Sequence, residues 1–281
     1  GDLIKIDLGS HIDGYVATAA HTWILAAPGQ TEPFSGKIAD VVCAAYYAAE
    51  CALHLLRPGA TNTQITQVIR QVADIFHVNP VEGVLSHQMR QNSIDGNNVI
   101  LNREELDQHA EVVTFEVNQV YGIDILMSTG EGKTREINNR TTVFKRAIDR
   151  NYQLKLAAAR QIFGEIQKNS PALPFSLTSL DDKKRRMGIT EIVKHELVDS
   201  YPVLWEKDGE YVAQFKFTAL ILASSTEKLA SEPAFPLPPV SSQYSVTDEI
   251  NQILAMPLKR PKKKVNKKKK KAPAAGGAEP M

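Results

Sequence analysis

Four polar side chains stand in apolar, strand-like surroundings: Asp7 in IKIDLG, His87 in VLSHQM, Asp124 in YGIDIL and Lys216 in AQFKFT. Two carboxylates and an imidazole are a donor set for a divalent cation. The fourth group is an ammonium, which repels such a cation at short range. A metal-holding hairpin also needs a second carboxylate on the strand that returns after Asp13–Gly14, and its natural place is taken by Thr18. The same four residues also fit a plainer reading, as ordinary polar positions on half-exposed strands. His11, His21 and His195 have no ligand-like spacing and read as structural.

The elements that must position these groups follow from periodicity. Ile4, Ile6 and Leu8 alternate with Lys5 and Asp7, which predicts a half-buried strand. Gly9 and Asp13–Gly14 mark the turn region, and Tyr15 to Leu25 reads as the returning strand. Residues 34–56 carry apolar positions at helical spacing and stop at Pro58–Gly59. Thr61 followed by Gln64 is a capping box, opening a second helix through Ile65, Val68, Ile69, Val72 and Ile75. Residues 111–128 read as strand, 151–168 and 188–198 as helices, 201–206 and 210–223 as strands. A Pro- and Ser-rich linker is expected over 224–245 and a short helix over 246–256.

Composition bounds the rest. The chain has 281 residues and 43% hydrophobic content, enough for one large domain or two smaller ones. It opens at Gly1 and runs straight into a strand, which reads as a fragment or a processed form. No apolar run reaches membrane-spanning length. The two cysteines, Cys43 and Cys51, lie in one helical pattern and do not read as a disulfide, which favours a reducing compartment. The net charge of +1 conceals a separation. Ten of the 33 Lys and Arg lie between Lys259 and Lys271, while 31 of the 32 acids precede them, so residues 1–258 carry 23 basic against 31 acidic groups.

Four blocks carry a family resemblance: IKIDLGSHIDGYVATAAHTWIL, VEGVLSHQMRQNSIDG, VNQVYGIDILMSTGEGK and GEYVAQFKFTALIL. In that order they resemble the type 2 methionine aminopeptidases. They are more similar still to the non-peptidase relatives of those enzymes, the proliferation-associated (ErbB-receptor-binding) protein family. The resemblance spans about residues 2–225. It implies an α+β pita-bread fold, a curved antiparallel sheet flanked by helices in two pseudo-symmetric halves. It implies a domain over 1–225 with a helical insert at about 147–200, a linker and short helix over 226–256, and a disordered Lys-rich tail over 257–281.

Carried onto this chain, the enzyme's five metal ligands become Asp7, Thr18, His87, Asp124 and Lys216. The first Asp and the His are matched, the first Glu is shortened to Asp124, and the second Asp and last Glu are lost. A further catalytic His is replaced by Asp95. The expectation is a vestigial site with no metal, no cofactor and no peptidase activity, in which Lys216 pairs with Asp7 or Asp124.

The string LKRPKKKVNKKKKK is too dense in charge to fold. Lys259, Arg260, Lys262, Lys263, Lys264, Lys267, Lys268, Lys269, Lys270 and Lys271 read as a phosphate-contacting arm, a targeting signal or a solvated tail. With no aromatic in the string, its contacts carry little sequence preference. Lys183, Lys184, Arg185 and Arg186, just before an expected helix, read as a second phosphate-contacting patch or a solvated one. INQILAMPL, from Ile250, is a short amphipathic stretch of the kind that docks in a groove. The family resemblance implies ribosomes and structured RNA as partners, a receptor kinase tail and transcriptional co-regulators as protein partners, residence in cytoplasm and nucleolus, and a role in growth control and translation. It implies no membrane insertion. A metallo-aminopeptidase with a degraded site and a protein-only adaptor are the competing readings. GEGKT, from Gly130, looks like the end of a P-loop, but Met127 stands where that motif needs its first Gly.

Overall fold

Asp13 and Gly14 both take positive φ, 51° and 83°, the turn whose twist matches paired strands. On either side β1 (Leu3–Ile12) and β2 (Tyr15–Ile24) pair over ten positions, Leu3 opposite Ile24 and Ile12 opposite Tyr15. A Cβ on Gly14 would lie 2.0 Å from Asn92 Oδ1. Gly14→Ala should therefore cost about 1–2 kcal/mol from the left-handed backbone alone. Urea unfolding of the variant measures this, and an unchanged midpoint would refute it.

The structure is a computed structural model that describes residues 1–105, 109–136, 141–180, 182–230 and 239–260, with backbone alone for 182–186. After the hairpin come α1 (Lys37–Leu55), α2 (Asn62–Ile75), β3 (Asn79–Pro80), β4 (Leu85–Met89), β5 (Val99–Leu101) and β6 (Val120–Ser128). Then follow β7 (Arg135–Glu136), β8 (Val143–Arg146), α3 (Ala157–Asn169), β9 (Phe175–Ser176), α4 (Asp182–Lys194), β10 (Val198–Tyr201) and β11 (Leu204–Trp205). The last elements are β12 (Val212–Ile221), β13 (Thr226–Lys228) and α5 (Asp248–Leu254).

The main sheet runs β1-β2-β12-β6-β4-β5, with β13 beside β12 and β3 beside β6, antiparallel throughout. One face packs on α1 and α2. Ala44, Ala45, Ala48, Ala49 and Ala52 of α1 are fully buried in one core with Phe215, Phe217, Ile123 and Ile125. α1 meets the length and composition of a membrane span, but 67% of it is buried, as in a core helix. Gln64 Oε1 accepts from the Thr61 N–H at 3.0 Å, the expected capping box. Cys43 and Cys51 are free thiols, pushed up by burial to about 11 and about 12.

The expected half-burial of β1 is not observed. Ile4, Ile6 and Leu8 are 39%, 46% and 67% exposed. Their alternation is that of a strand, but α1 and α2 cover the centre of the sheet and no described helix lies over the hairpin.

Several expected boundaries move for local reasons. Strand β6 begins only at Val120. The chain before it is held as a loop by Asn62, whose side chain donates to Glu111 O at 2.8 Å and accepts from the Val113 N–H at 2.9 Å. Helix α3 begins at Ala157 rather than 151. The Glu191 carboxylate of α4 accepts from the N–H groups of Lys155 and Leu156, ending the preceding turn. The insert is not purely helical. Strands β10-β8-β9 form its own small sheet, and Phe144, Ile162, Ile166, Phe175, Ile192 and Val198 share a second core.

The segment after β13 is more than a linker. Val240 bridges Phe34, Ser242 Oγ donates to Asp40 Oδ1 at 2.6 Å, and Ile250 of α5 is 1% exposed. His54 Nδ1 lies 2.6 Å from Met256 O. The expected tail boundary at 257 moves as well. The Thr226 N–H donates to Leu258 O at 3.1 Å, and the Arg260 guanidinium donates to the carbonyls of Leu222 and Ser225, the latter at 2.6 Å. The amphipathic face of INQILAMPL is thus spent on the protein's own core rather than left open for a partner's groove.

Candidate functional site

Strand register brings the site together. Asp7 lies opposite Ala20, Ala20 opposite Lys216, and Lys216 opposite Asp124, so one row crosses β1, β2, β12 and β6. Cross-strand partners share a face, and this face is turned away from α1. Ala20 is the small residue of the row, leaving Lys216 room to reach over β2. Its Nζ lies 2.6 Å from Asp7 Oδ2 and 2.9 Å from Asp124 Oδ2. Gln214, two residues back on the same face, donates from Nε2 to Asp124 Oδ1 at 2.9 Å and reaches Asp7 Oδ2 at 3.4 Å.

The electrostatics follow from depth. Burial raises the Asp124 carboxyl above its ordinary value, and the facing Lys216 ammonium and the Gln214 amide only partly offset this. Burial pulls the other way on Lys216, but the charges of Asp124 and Asp7 outweigh it and the ammonium is held above its ordinary range. Both groups are thus raised, Asp124 because its burial costs more than the ion pair returns and Lys216 because its two acids outweigh its burial. The net state is a charged lysine shared by two acids.

The other expected ligands stand apart from this pair. Thr18 is one row along. Its N–H donates to Thr218 Oγ1 at 2.8 Å, and that hydroxyl donates to Thr18 O at 3.0 Å. His87 lies opposite Gly122, with Nδ1 3.1 Å from Gly96 O. Asp7, His87 and Asp124 do not close into a three-ligand group, and the described residues contain no cluster of three His, Cys, Asp or Glu able to hold a metal. Asp95 carries a separate ion pair with Lys145 of β8, whose side chain is 15% exposed, and so ties the insert to the body.

The basic positions separate similarly. Lys259 is exposed. Arg260, expected in the phosphate-contacting arm, instead clamps the β12–β13 turn. Lys262, Lys263, Lys264, Lys267, Lys268, Lys269, Lys270 and Lys271 lie outside the described residues. Lys183, Lys184, Arg185 and Arg186 lie in the first turns of α4 rather than before it, and their side chains are not described. The GEGKT loop is already filled: Ser128 Oγ and the Gly132 N–H both donate to Glu206 Oε2, at 2.7 and 2.9 Å.

An antiparallel sheet with helices packed on one face and a row of charged and polar side chains on the other is the architecture of the pita-bread metallopeptidases. Residues 1–144 match the model of metallopeptidase family M24, and the chain belongs to that family. It is 46% identical over 268 residues to proliferation-associated protein A of Dictyostelium discoideum, an alignment covering 95% of this chain and 69% of the relative. It is 44% identical to ERBB-3 binding protein 1 of Solanum tuberosum, covering 100% and 73%. It is 38% identical to the curved DNA-binding protein of Schizosaccharomyces pombe, covering 98% and 71%. Among solved structures, a thermophilic Arx1 aligns with TM-score 0.83 at 27% identity, over 92% of this chain and 74% of that one.

The metal that the family's description implies does not fit this residue set. The ammonium of Lys216 lies between the carboxylates of Asp7 and Asp124, where it repels a divalent cation.

Proposed function

We propose that this protein is a non-catalytic M24 protein that binds structured RNA and ribosomes and acts in growth control, ribosome biogenesis and translation, in cytoplasm and nucleolus. The observation that carries the non-catalytic part is Lys216 Nζ at 2.6 and 2.9 Å from Asp7 and Asp124. An ammonium there neutralises one of the two carboxylates and repels a cation, so no pair of metals is held to activate a water. Calorimetry with Co²⁺ or Mn²⁺ at neutral pH tests this. Tight binding, or turnover of a Met-Ala-Ser peptide above a protein-free control, would restore the metallo-aminopeptidase reading.

The nucleic-acid part is supported by the separation of charge between body and tail, and by a relative whose name is curved DNA-binding protein. Sedimentation with purified ribosomes across a salt series tests it, comparing the full chain with one ending at Arg260. Loss of binding in the shorter chain is expected, with a salt slope of about −0.7 to −0.9 per phosphate contacted. Equal binding by both would move the interface to the body, with Lys183 to Arg186 the next residues to change.

A relative named ERBB-3 binding protein 1 favours a second reading, a protein adaptor whose partners include a receptor kinase tail. Under that reading neither chain sediments with ribosomes.

A further inference from the structure

The chain leaves the main sheet after β6 and returns to it at β12. Between them the described part of residues 143–201 forms a body of its own. Its core, from Phe144 to Val198, shares no residue with the main core among the described residues. Its sheet β10-β8-β9 has no strand in common with the main one, and neither has the ribbon of β7 and β11 through which the chain enters and leaves. That ribbon pairs over two positions, Leu204 opposite Glu136 and Trp205 opposite Arg135. Two bodies joined in this way move relative to one another unless a large apolar interface fixes them.

No such interface faces the insert here. A cavity of about 500 Å³ has Val143, Phe175 and Tyr201 of the insert on one side and Thr18, Ile94 and Lys216 of the body on the other. Val143 and Tyr201 are 39% and 41% exposed, against 5% for Phe144 and 0% for Ile162 in the insert's own core. Tyr201 lies within electrostatic reach of both Asp95 and Lys216. Burial first, then the charges of Asp95 and Asp199, hold its phenol above the ordinary value. The polar join described between the two bodies is Lys145 of β8 on Asp95, which sits in the loop between β4 and β5. Lys145 is 15% exposed and Asp95 45%, so the pair is open to screening by salt. One ion pair of that exposure shifts an equilibrium by a factor of about two to five, enough to bias a hinge and too little to freeze one.

We propose that the insert is a lid that swings on the β7–β11 ribbon, and that the Asp95–Lys145 ion pair is the latch holding it over the cavity beside Lys216. Hinges of this kind are a few residues at element ends that absorb the backbone change, and a two-residue ribbon outside both sheets is such a place. With the latch made, Val143 and Tyr201 face Lys216 across the cavity. With it broken, the mouth widens and the row of Asp7, Lys216 and Asp124 meets solvent. This inference does not depend on the nucleic-acid reading, and neither fails with the other.

The test uses the full chain with nitroxide labels on Gln71→Cys of α2 and Lys168→Cys of α3, both exposed positions, and reads the distance between them by double electron resonance. Cys43 and Cys51 are buried and stay unlabelled. At low salt one dominant distance is expected. Lys145→Met, or Asp95→Asn, should raise the population at other distances about two- to fivefold. Salt at about 1 M, where the screening length is about 3 Å, should do the same to the parent without any substitution. Asp95→Lys combined with Lys145→Asp should return the parent's distribution, with circular dichroism confirming the fold of each variant. One unchanged distance in both single variants and in salt would make insert and body a single rigid unit and overturn the proposal. A broadening that the charge swap does not reverse would overturn it equally, by leaving the ion pair without a latching role.

Discussion

Lys216→Met should lower stability at pH 7 by about 3 kcal/mol, and part of that loss relative to the parent should be regained in mild acid. The substitution keeps the stem and removes the charge, so Asp7 and Asp124 are left facing each other with only the Gln214 amide between them. Removing one partner of a buried pair costs about 3–5 kcal/mol, and the lower end applies because Lys216 and Asp124 are each 18% exposed and Asp7 is 44% exposed.

The direction with pH follows from linkage. Asp124 already lies above the ordinary carboxyl value of 3.8, and losing the ammonium raises it further. An acid whose folded pKa is raised holds its proton more tightly folded than unfolded, so the variant regains stability as pH falls from 7 through that raised value. In the parent chain the Lys216 contribution has the same sign but acts at the alkaline end of the scale. Its folded pKa is raised, so its share is fully present below the ordinary lysine value of 10.5 and is lost as pH climbs through the folded one. Urea unfolding of both chains at pH 5, 7 and 9 decides it. Equal stability at pH 7, or no relative gain for the variant at pH 5, would mean that the three side chains are not coupled as their distances indicate.

The second large effect is expected in the opposite sense, from putting ligands back. Thr18→Asp combined with Lys216→Glu places carboxylates at the two positions that depart from a five-ligand set, beside Asp7, Asp124 and His87. Without metal, several acids then crowd one face and the melting temperature should fall. With Co²⁺ or Mn²⁺ at a hundred times its dissociation constant, binding to the folded state alone returns about 2.7 kcal/mol. The parent chain should show no such shift. Scanning calorimetry with and without metal reads both. A double variant indifferent to metal would show that His87, held against Gly96 O, is placed too far from the row to complete a site.

How much of this was legible beforehand differs from residue to residue. Asp7, Asp124 and Lys216 announce themselves because each interrupts an apolar alternation, and a period of two places their neighbours on the other face. Gln214 carries the same signal, two residues from Lys216, but an uncharged amide does not stand out among carboxylates and an imidazole as a divalent-metal ligand. The pairing of Asp95 with Lys145 joins loop to insert across fifty residues, a contact that no local pattern encodes. Arg260 was misplaced by its company. Charge density assigns it to the tail, whereas its acceptors are the carbonyls of a hairpin turn far upstream. The exposure of β1 was equally invisible, since alternation reports which side chains share a face and not whether anything covers it.

The clamp at Arg260 also has a mechanical meaning. The chain reaches it after crossing α1 through Val240, Ser242 and α5. Any load applied to residues beyond 260 meets the guanidinium first, along with the main-chain bonds of Leu258 and Arg260 to the β12–β13 turn. β12 runs through the middle of the main sheet, so that turn is fixed to its stiffest strand. A pull on the basic segment is therefore taken up in the sheet, and α5 is shielded from being peeled off the core.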